Sequence, residues 1–474
     1  ARQMFDKLLH HNDSCCNSLI CGYAKHKDGE EALVLYQQML HQQFNSSFQP
    51  STNTFVALLK VCAQTQDIGM GCKIHEDIVR KMGSVYDRDP FMGSALVGMY
   101  AKCGSLHKAE EVFDLLEVRN VVAWNSLISG YVGSGDNEKV LSFFYEMQYQ
   151  GISPDVVTFI CTLKACGKLG SLLKGEELHA EIVIKALEVQ PLVGNSLINM
   201  YIKLGCLCHA QQVFDKLLGH DTVSWNALLG GYVENGQPEK ALDSFEKMNL
   251  EDVSADTITY VHILKACGNL GAMSKGEEIY LEILRRGLLE EDQTLGNMVI
   301  SMYSKCGSLT RAREVFDKLQ DLDVVSWSAL IAGYGQLGEH EVVFTLFDSM
   351  MQKDIKPDHV TFISILNTCC HAGLIERGSW YFDAMSKDYG IAPILEHYTC
   401  MVDLHGRAGQ LEKAVIIIQE MPFVPDSTIW KTLLTASRKS SNVVFGKLAF
   451  SQATGLDVID SGAYMCMSDI FADD

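Results

Sequence analysis

Two motifs in this 474-residue chain have the residue types for chemistry. His179-Ala-Glu181 is half of a zinc-deaminase signature, in which an imidazole helps hold the metal and the glutamate moves protons. The other half, a Pro-Cys-x-x-Cys supplying two thiolates, has no counterpart, since no Cys-x-x-Cys occurs anywhere in the chain. Cys206/Cys208 and Cys369/Cys370 also lack partners for a tetrahedral site. Gly170…Gly175-Glu176 and Gly271…Gly276-Glu277 imitate half of a P-loop but lack the Lys-Ser/Thr that would contact phosphate and magnesium. No Ser/His/Asp or Cys/His set follows from spacing. The 16 cysteines read as reduced, buried thiols, because a chain this long needs no disulfides to build a core. Cys103, Cys166, Cys267 and Cys306 recur at fixed registers, which packing explains. No catalytic residue, metal or cofactor is therefore expected within this chain.

Composition narrows the classes further. With 47% hydrophobic and 21% charged residues the chain buries enough apolar surface to offset its conformational entropy, which excludes disorder. Nine prolines are too few for a collagen-like or Pro-rich polymer. A formal charge of −20 argues against duplex DNA or an anionic membrane held by bulk charge. No apolar run reaches the ~18–20 residues that span a bilayer. The nearest, His359 to Ile375, carries Asn367, Thr368 and His371 and reads as a buried helix. The chain opens inside a helical pattern at Ala1-Arg-Gln-Met-Phe-Asp6, so it reads as a segment of something longer, with any targeting sequence upstream.

The elements that must position any functional residue are repeats. Val121-Val-Ala-Trp-Asn-Ser-Leu-Ile-Ser-Gly-Tyr131 returns as Thr222-Val-Ser-Trp-Asn-Ala-Leu-Leu-Gly-Gly-Tyr232 and as Val324-Val-Ser-Trp-Ser-Ala-Leu-Ile-Ala-Gly-Tyr334, with starts 101 and 102 residues apart. Between these lie Leu163-Lys-Ala-Cys-Gly, echoed at Leu264, and Gly194-Asn-Ser-Leu-Ile-Asn-Met-Tyr, echoed at Gly296. Each superunit thus holds three related units of 35, 35 or 36, and 31 residues. Trp124, Leu127, Ile128 and Tyr131 mark one helix face, and Val140, Leu141, Phe144 and Met147 mark a second helix from about Asn137 to Tyr149. Gly151 and Pro154 end that helix, and Pro238 suits the first turn of another. A two-helix hairpin this short cannot bury its own apolar face, so neighbours must stack; the expected fold is all-α, an α-solenoid superhelix. A partial unit at 1–12 precedes twelve whole ones, 13–51, 52–89, 90–120, 121–155, 156–190, 191–221, 222–256, 257–292, 293–323, 324–358, 359–394 and 395–426. A divergent helical pair follows at 427–460, then the start of another unit at 461–474.

These units resemble pentatricopeptide repeats of the plant organellar class in which long, longer-variant and short motifs alternate. The resemblance rests on Tyr100-Ala-Lys-Cys-Gly-Ser-Leu…Ala109-Glu-Glu-Val-Phe-Asp, the Trp-Asn-Ser/Ala-Leu phrases, and His397-Tyr-Thr-Cys-Met-Val-Asp-Leu-His-Gly-Arg-Ala-Gly-Gln-Leu with Met421-Pro-Phe-Val-Pro-Asp. The last stretch is similar to the closing repeats of RNA editing factors, and 427–460 to the first extension motif after them. Tetratricopeptide repeats are the near neighbour, but they keep a uniform 34-residue unit.

The resemblance implies that each repeat reads one base of single-stranded RNA through the fifth residue of its first helix and the last residue of the unit. The fifth residues are Asn17, Ser94, Asn125, Asn195, Asn226, Asn297, Ser328 and Thr399; the last are Ser51, Asn120, Asp155, Asp221, Asp256, Asp323, Asp358 and Asp426. An ionised Asp only accepts hydrogen bonds, which suits U and G, while Asn can donate, which suits A or C. Each Asp could equally be a helix N-cap. The second residues Phe91, Val122, Val157, Leu192, Val223, Ile258, Val325 and Val360 would wedge between bases, or else simply pack; Thr294 and Glu396 depart from the pattern. Lys25, Lys102, Lys168, Lys203, Lys305 and Arg407 share one register and would form a stripe tracking phosphates. Variant units with apolar fifth residues, Val56, Ile160, Val261 and Ile363, are unreadable. The expected target is 5′-C/U-n-A-U-n-U-U-n-U-G-n-G-3′, with the edited cytidine four nucleotides beyond the final G. The implied role is the specificity part of a mitochondrial or chloroplast C-to-U editing factor. A deaminase would lie beyond Asp474 or act in trans, and neither DNA nor membrane would be a partner. The alternatives are transcript stabilisation without editing, or a tetratricopeptide-type scaffold that binds peptide and ignores RNA.

Overall fold

A computed structural model describes residues 13–25, 29–41, 49–83, 88–456 and 461–472. The partial unit at 1–12 and the stretches 457–460 and 473–474 lie outside the described residues. Every regular element among the described residues is a helix, and none of these helices is long and apolar enough to cross a membrane.

The helices start where the sequence supplies a cap. Asp155 accepts the Thr158 N–H at 3.0 Å and in return its own N–H donates to Thr158 Oγ1 at 3.2 Å, closing a capping box at the head of the helix Val156–Leu169. Asp256, Asp323 and Asp358 head their helices with the same box, and Ser51, Asn120, Asp221 and Asp426 each accept a first-turn N–H. A cap of this kind contributes about 1 kcal/mol, and it fixes the first residue of each hairpin. Pro90, Pro191 and Pro238 occupy first turns, where a missing N–H costs nothing. Gly170 and Gly271 end their helices in the left-handed region, at φ 68° and 67°. Gly175 and Gly276 sit against the sulfurs of Met200 and Met302, where an added Cβ would come within 2.9 and 2.5 Å. The glycine pairs that imitated a P-loop are thus a helix stop and a close helix crossing.

The chain divides into two compact units, Ala1–Asn235 and Gly236–Asp474. In the first, the helices Asp13–Lys25, Thr52–Thr65, Pro90–Lys102, Val121–Ser134, Val156–Leu169, Pro191–Lys203 and Thr222–Glu234 pack each against the next. In the second, Thr257–Leu270, Gln293–Lys305, Val324–Gln336, His359–Ala372, Leu395–Arg407, Ser427–Lys439 and Ser461–Ala472 do the same. Within each unit the intervening second helices back this row of first helices, so each is an α-solenoid stack of hairpins. Aromatic rings lock successive hairpins: Trp124 meets Phe113, Trp225 meets Phe214 and Trp327 meets Phe316, edge to face at 4.6 to 4.8 Å between centroids. All six rings are buried.

Candidate nucleic-acid interface

A first helix buries one face against its hairpin partner and its neighbours, which leaves its second, ninth and thirteenth residues on another side. The second residues Phe91, Val122, Val157, Leu192, Val223, Ile258, Val325 and Val360 are all exposed, from 49% for Val157 to 75% for Phe91. Ordinary packing does not account for them, since residues one place further on, such as Met92, Ala123, Thr158 and Val193, are buried. Thr294 and Glu396, the departures from the apolar pattern, are exposed at the same place.

Polar fifth and last residues lie between some of these apolar side chains. A hollow of about 340 Å³ is lined by Phe91, Ser94, Asn120 and Val122, together with Lys60 and Lys102. A second, of about 750 Å³, is lined by Val122, Asn125, Asp155 and Val157, again with Lys102. Val122 is a wall of both.

Within each hairpin junction the structure brings fifth and last residues together to different degrees. Asn125 Nδ2 donates to Asp155 Oδ1 at 2.9 Å, and Asn297 Nδ2 to Asp323 Oδ1 at 3.2 Å. Ser94 Oγ donates to Asn120 Oδ1 at 2.9 Å. Asn17 holds Ser51 through the Ser51 N–H at 3.2 Å, and the hydroxyls of Ser328 and Thr361 share a hydrogen bond at 2.7 Å beside Asp358. Ser328 and Asp358 thus meet only through Thr361, and two further pairs are not joined: Thr399 Oγ1 donates to the Leu395 carbonyl, and Asn195 Oδ1 is buried without a partner, while Asp426 and Asp221 cap their helices. Asn226 is almost buried in the first unit, and Asp256 is exposed and caps its helix in the second.

A third participant escaped sequence reasoning. Thr54 donates to Asn17 Oδ1 at 2.7 Å, Thr158 to Asn125 Oδ1 at 2.6 Å and Ser326 to Asn297 Oδ1 at 2.6 Å. These hydroxyls, third in the following hairpin, fix which way each amide faces: its oxygen is held, so the N–H₂ of Asn125 and Asn297 is aimed at the partner Asp, while Asn17 Nδ2 donates to the Gln49 carbonyl. The recurrence of Ser or Thr at that place was the available signal. Asp155 and Asp323 both cap a helix and accept from the fifth residue of the preceding hairpin. At Asp155, Oδ1 takes the Thr158 N–H and the Asn125 amide, and Oδ2 has no partner among the described residues.

The cation register, Lys25, Lys102, Lys168, Lys203, Lys305 and Arg407, is exposed throughout. Arg407 is held by Asp403 at 2.8 Å through both oxygens, so its charge is compensated, and Lys305 donates to Asn269 Oδ1 at 3.0 Å. Burial pushes the Lys305 ammonium below its ordinary pKa, and the nearby Lys265 adds to the shift. His179, half of the deaminase-like motif, shares a 2.8 Å hydrogen bond with the Tyr201 hydroxyl and is held below its ordinary pKa by burial, against the pull of Glu188. No group of three or more metal-ligating side chains occurs among the described residues.

Comparison with known proteins decides the family. The PPR repeat family model matches residues 119–168, 220–269 and 322–371, and the PPR repeat model matches 14–44, 94–121, 258–288, 297–324, 360–389 and 396–422, together more than half of the chain. The chain belongs to the pentatricopeptide repeat family. That removes the tetratricopeptide alternative. A pentatricopeptide repeat-containing protein of Arabidopsis thaliana is 34% identical over 100% of this chain and 56% of its own length. The chloroplastic protein CRR2 of the same plant is 35% identical over 90% of this chain and 65% of its own length, and a mitochondrial member is 34% identical over 100% of this chain and 54% of its own. The chain thus spans between about half and two thirds of these pentatricopeptide repeat relatives. Among solved structures, maize PPR10 in complex with an 18-nt psaJ RNA element aligns over 97% of this chain and 71% of PPR10, with a TM-score of 0.62 at 16% identity. PPR10 from maize alone aligns over 100% of this chain and 73% of its own, with a TM-score of 0.58 at 15% identity. At such identity the likeness is one of fold.

Proposed function

We propose that this chain binds single-stranded RNA sequence-specifically, one base per readable hairpin, as the specificity part of an organellar C-to-U editing factor of the alternating long, longer-variant and short class. The observation that carries this reading is the pair of hollows sharing Val122. A row of exposed apolar walls with one polar pair between each is what an unstacked strand requires, because stacking is replaced by apolar contact while the Watson–Crick edge meets a fixed donor and acceptor. Solvent-exposed apolar residues would otherwise be an unrecovered cost on a chain of net charge −20. The fold shared with PPR10, solved with an RNA element, and the chloroplastic and mitochondrial relatives support the same direction. The helices Ser427–Lys439 and Val443–Leu456 are assigned to the first extension motif and Ser461–Ala472 to the start of a second. Deamination would be performed by a domain beyond Asp474 or by a protein in trans.

Gel-shift titration tests the reading. The strand 5′-C/U-n-A-U-n-U-U-n-U-G-n-G-3′ is expected to bind at least about tenfold more tightly than a scrambled strand at matched salt, a difference of ~1.4 kcal/mol. Equal binding would refute it. For the editing role, a cytidine four nucleotides beyond the final G should be converted when a cytidine deaminase is added, and one displaced by two nucleotides should not.

A further inference from the structure

The longer-variant hairpins, whose apolar fifth residues offer a base no hydrogen bond, carry lysines that base reading leaves idle. Lys60, Lys164 and Lys265 stand ninth in the helices Thr52–Thr65, Val156–Leu169 and Thr257–Leu270, and all three are exposed. Each precedes a short hairpin whose first helix ends in Lys102, Lys203 or Lys305. The pairs are brought close. Lys60 and Lys102 line the same hollow. The Lys203 stem crosses Gly167, where an added Cβ would stand 3.3 Å from its Cδ, and Gly167 lies one turn along the same helix face from Lys164. Lys305 crosses Gly268 in the same way, at 3.2 Å, and feels the charge of Lys265.

None of these six lysines has a carboxylate partner among the described residues. That is notable where 59 acids outnumber 39 bases and where Lys139, Lys185, Lys216 and Lys275 are all paired. Two ammonium groups side by side repel, and an ammonium carries three donors and no acceptor, so the arrangement is completed by an anion between them. The fourth longer-variant hairpin provides the contrast: Asn367 takes the ninth place, and Arg407 in the following hairpin is already held by Asp403.

We propose that each of these three junctions, Lys60 with Lys102, Lys164 with Lys203 and Lys265 with Lys305, binds one phosphodiester of the bound strand. The longer-variant hairpins then grip backbone where they read no base. This rests on the RNA-binding reading above.

The test is the salt dependence of RNA affinity. On a single strand each neutralised phosphate contributes about 0.7 to the slope of log affinity against log salt. The triple variant Lys60→Gln/Lys164→Gln/Lys265→Gln should therefore lose about 2 from that slope while keeping the ratio of cognate to scrambled affinity. Its melting temperature should not change, since the three side chains are exposed. An unchanged slope overturns the proposal, and so does a lost ratio at unchanged slope, which would make these lysines base readers. A neutral methylphosphonate at the linkage facing Lys265 and Lys305 should weaken wild-type binding and leave the affinity of the Lys265→Gln/Lys305→Gln variant where it was. The double change Asn367→Lys/Asp403→Asn should add about 0.7 to the slope. If the wild-type protein binds cognate and scrambled strands equally, the RNA-reading proposal itself falls; if it discriminates and the triple variant's slope is unchanged, only the phosphate assignment falls.

Discussion

At Asp155 one oxygen serves the fold and the other is left to the surface, and under the proposed function that division lets a helix cap also read a base. Oδ1 is spent on the cap and on Asn125, so Oδ2 is the acceptor open to a ring N–H. The Thr158 hydroxyl sets this arrangement by holding Asn125 Oδ1. Thr158→Val keeps the shape and removes the hydroxyl, so the amide is free to turn. Competition with strands carrying each base opposite this hairpin should reveal a severalfold loss of preference for U, with a stability cost of about 1 kcal/mol for the lost hydrogen bonds. Unaltered preference would mean that Thr158 merely caps. The identities of fifth and last residues were legible because they recur with the unit; the third residue was not, because a Ser or Thr there satisfies the capping rule without any reference to the preceding hairpin. A second residue-scale consequence concerns pH. His397 is fully buried, its Nδ1 accepting from the Ile394 N–H and its Nε2 donating to the His359 carbonyl, and burial holds its pKa below the ordinary 6.5. With the folded pKa below the unfolded one, the unfolded chain binds the extra proton, so stability is full above the unfolded value and falls as pH drops below about 6.5. His397→Gln, which keeps one acceptor and one donor, should flatten the melting temperature between pH 7 and 5.5. An equally steep curve would assign the acid sensitivity to other groups, such as His179.

At the scale of elements, the helix starts were readable because each carries its own punctuation, a capping Asp, Asn or Ser or a first-turn proline, and the hydrophobic period does the rest. What periodicity leaves undetermined is which side chains of one hairpin reach the next. The lysines of Leu163-Lys-Ala-Cys-Gly and Leu264-Lys-Ala-Cys-Gly were visible in the repeat phrase, yet their neighbours 39 and 40 residues on are set by packing alone. The tryptophans couple hairpins most directly. Trp327 is buried against Phe316, and its indole N–H has no partner, so the ring contributes by packing. Trp327→Ala should cost about 3–5 kcal/mol, and Trp327→Phe clearly less, because the lost N–H was unsatisfied. In a stack where each hairpin contacts only its neighbours, the damage stays local. Hydrogen exchange should therefore accelerate in the helices Leu309–Lys318 and Val324–Gln336 of Trp327→Ala, and remain unchanged in Val121–Ser134. A uniform loss of protection would contradict nearest-neighbour coupling.

For the whole molecule the net charge of −20 has to be reconciled with the proposed polyanionic ligand. Affinity cannot come from bulk attraction, because beyond the Debye length of about 8 Å at physiological salt the strand meets a screened field of the wrong sign. It must come from contacts made within a few ångströms: neutral Asn, Ser and Thr side chains, apolar walls such as Val122 and Phe91, and lysines that no carboxylate neutralises. Two of these three need an unpaired strand. In a duplex the Watson–Crick edges are consumed, and the bases are stacked on one another, so no wall can enter between them. The third, the lysines, would favour a duplex for its higher charge density, and this sets the competing expectations apart. If recognition is by edge and wall, annealing the cognate RNA to its complement should weaken binding by at least about 100-fold, that is ~2.7 kcal/mol, and a scrambled duplex should compete no worse than the cognate one. If the cations dominate, the duplex should compete as well as the single strand, and raising salt should abolish both together. A titration with single strand, cognate duplex and scrambled duplex at two salt concentrations separates the cases, and the composition of the chain favours the first.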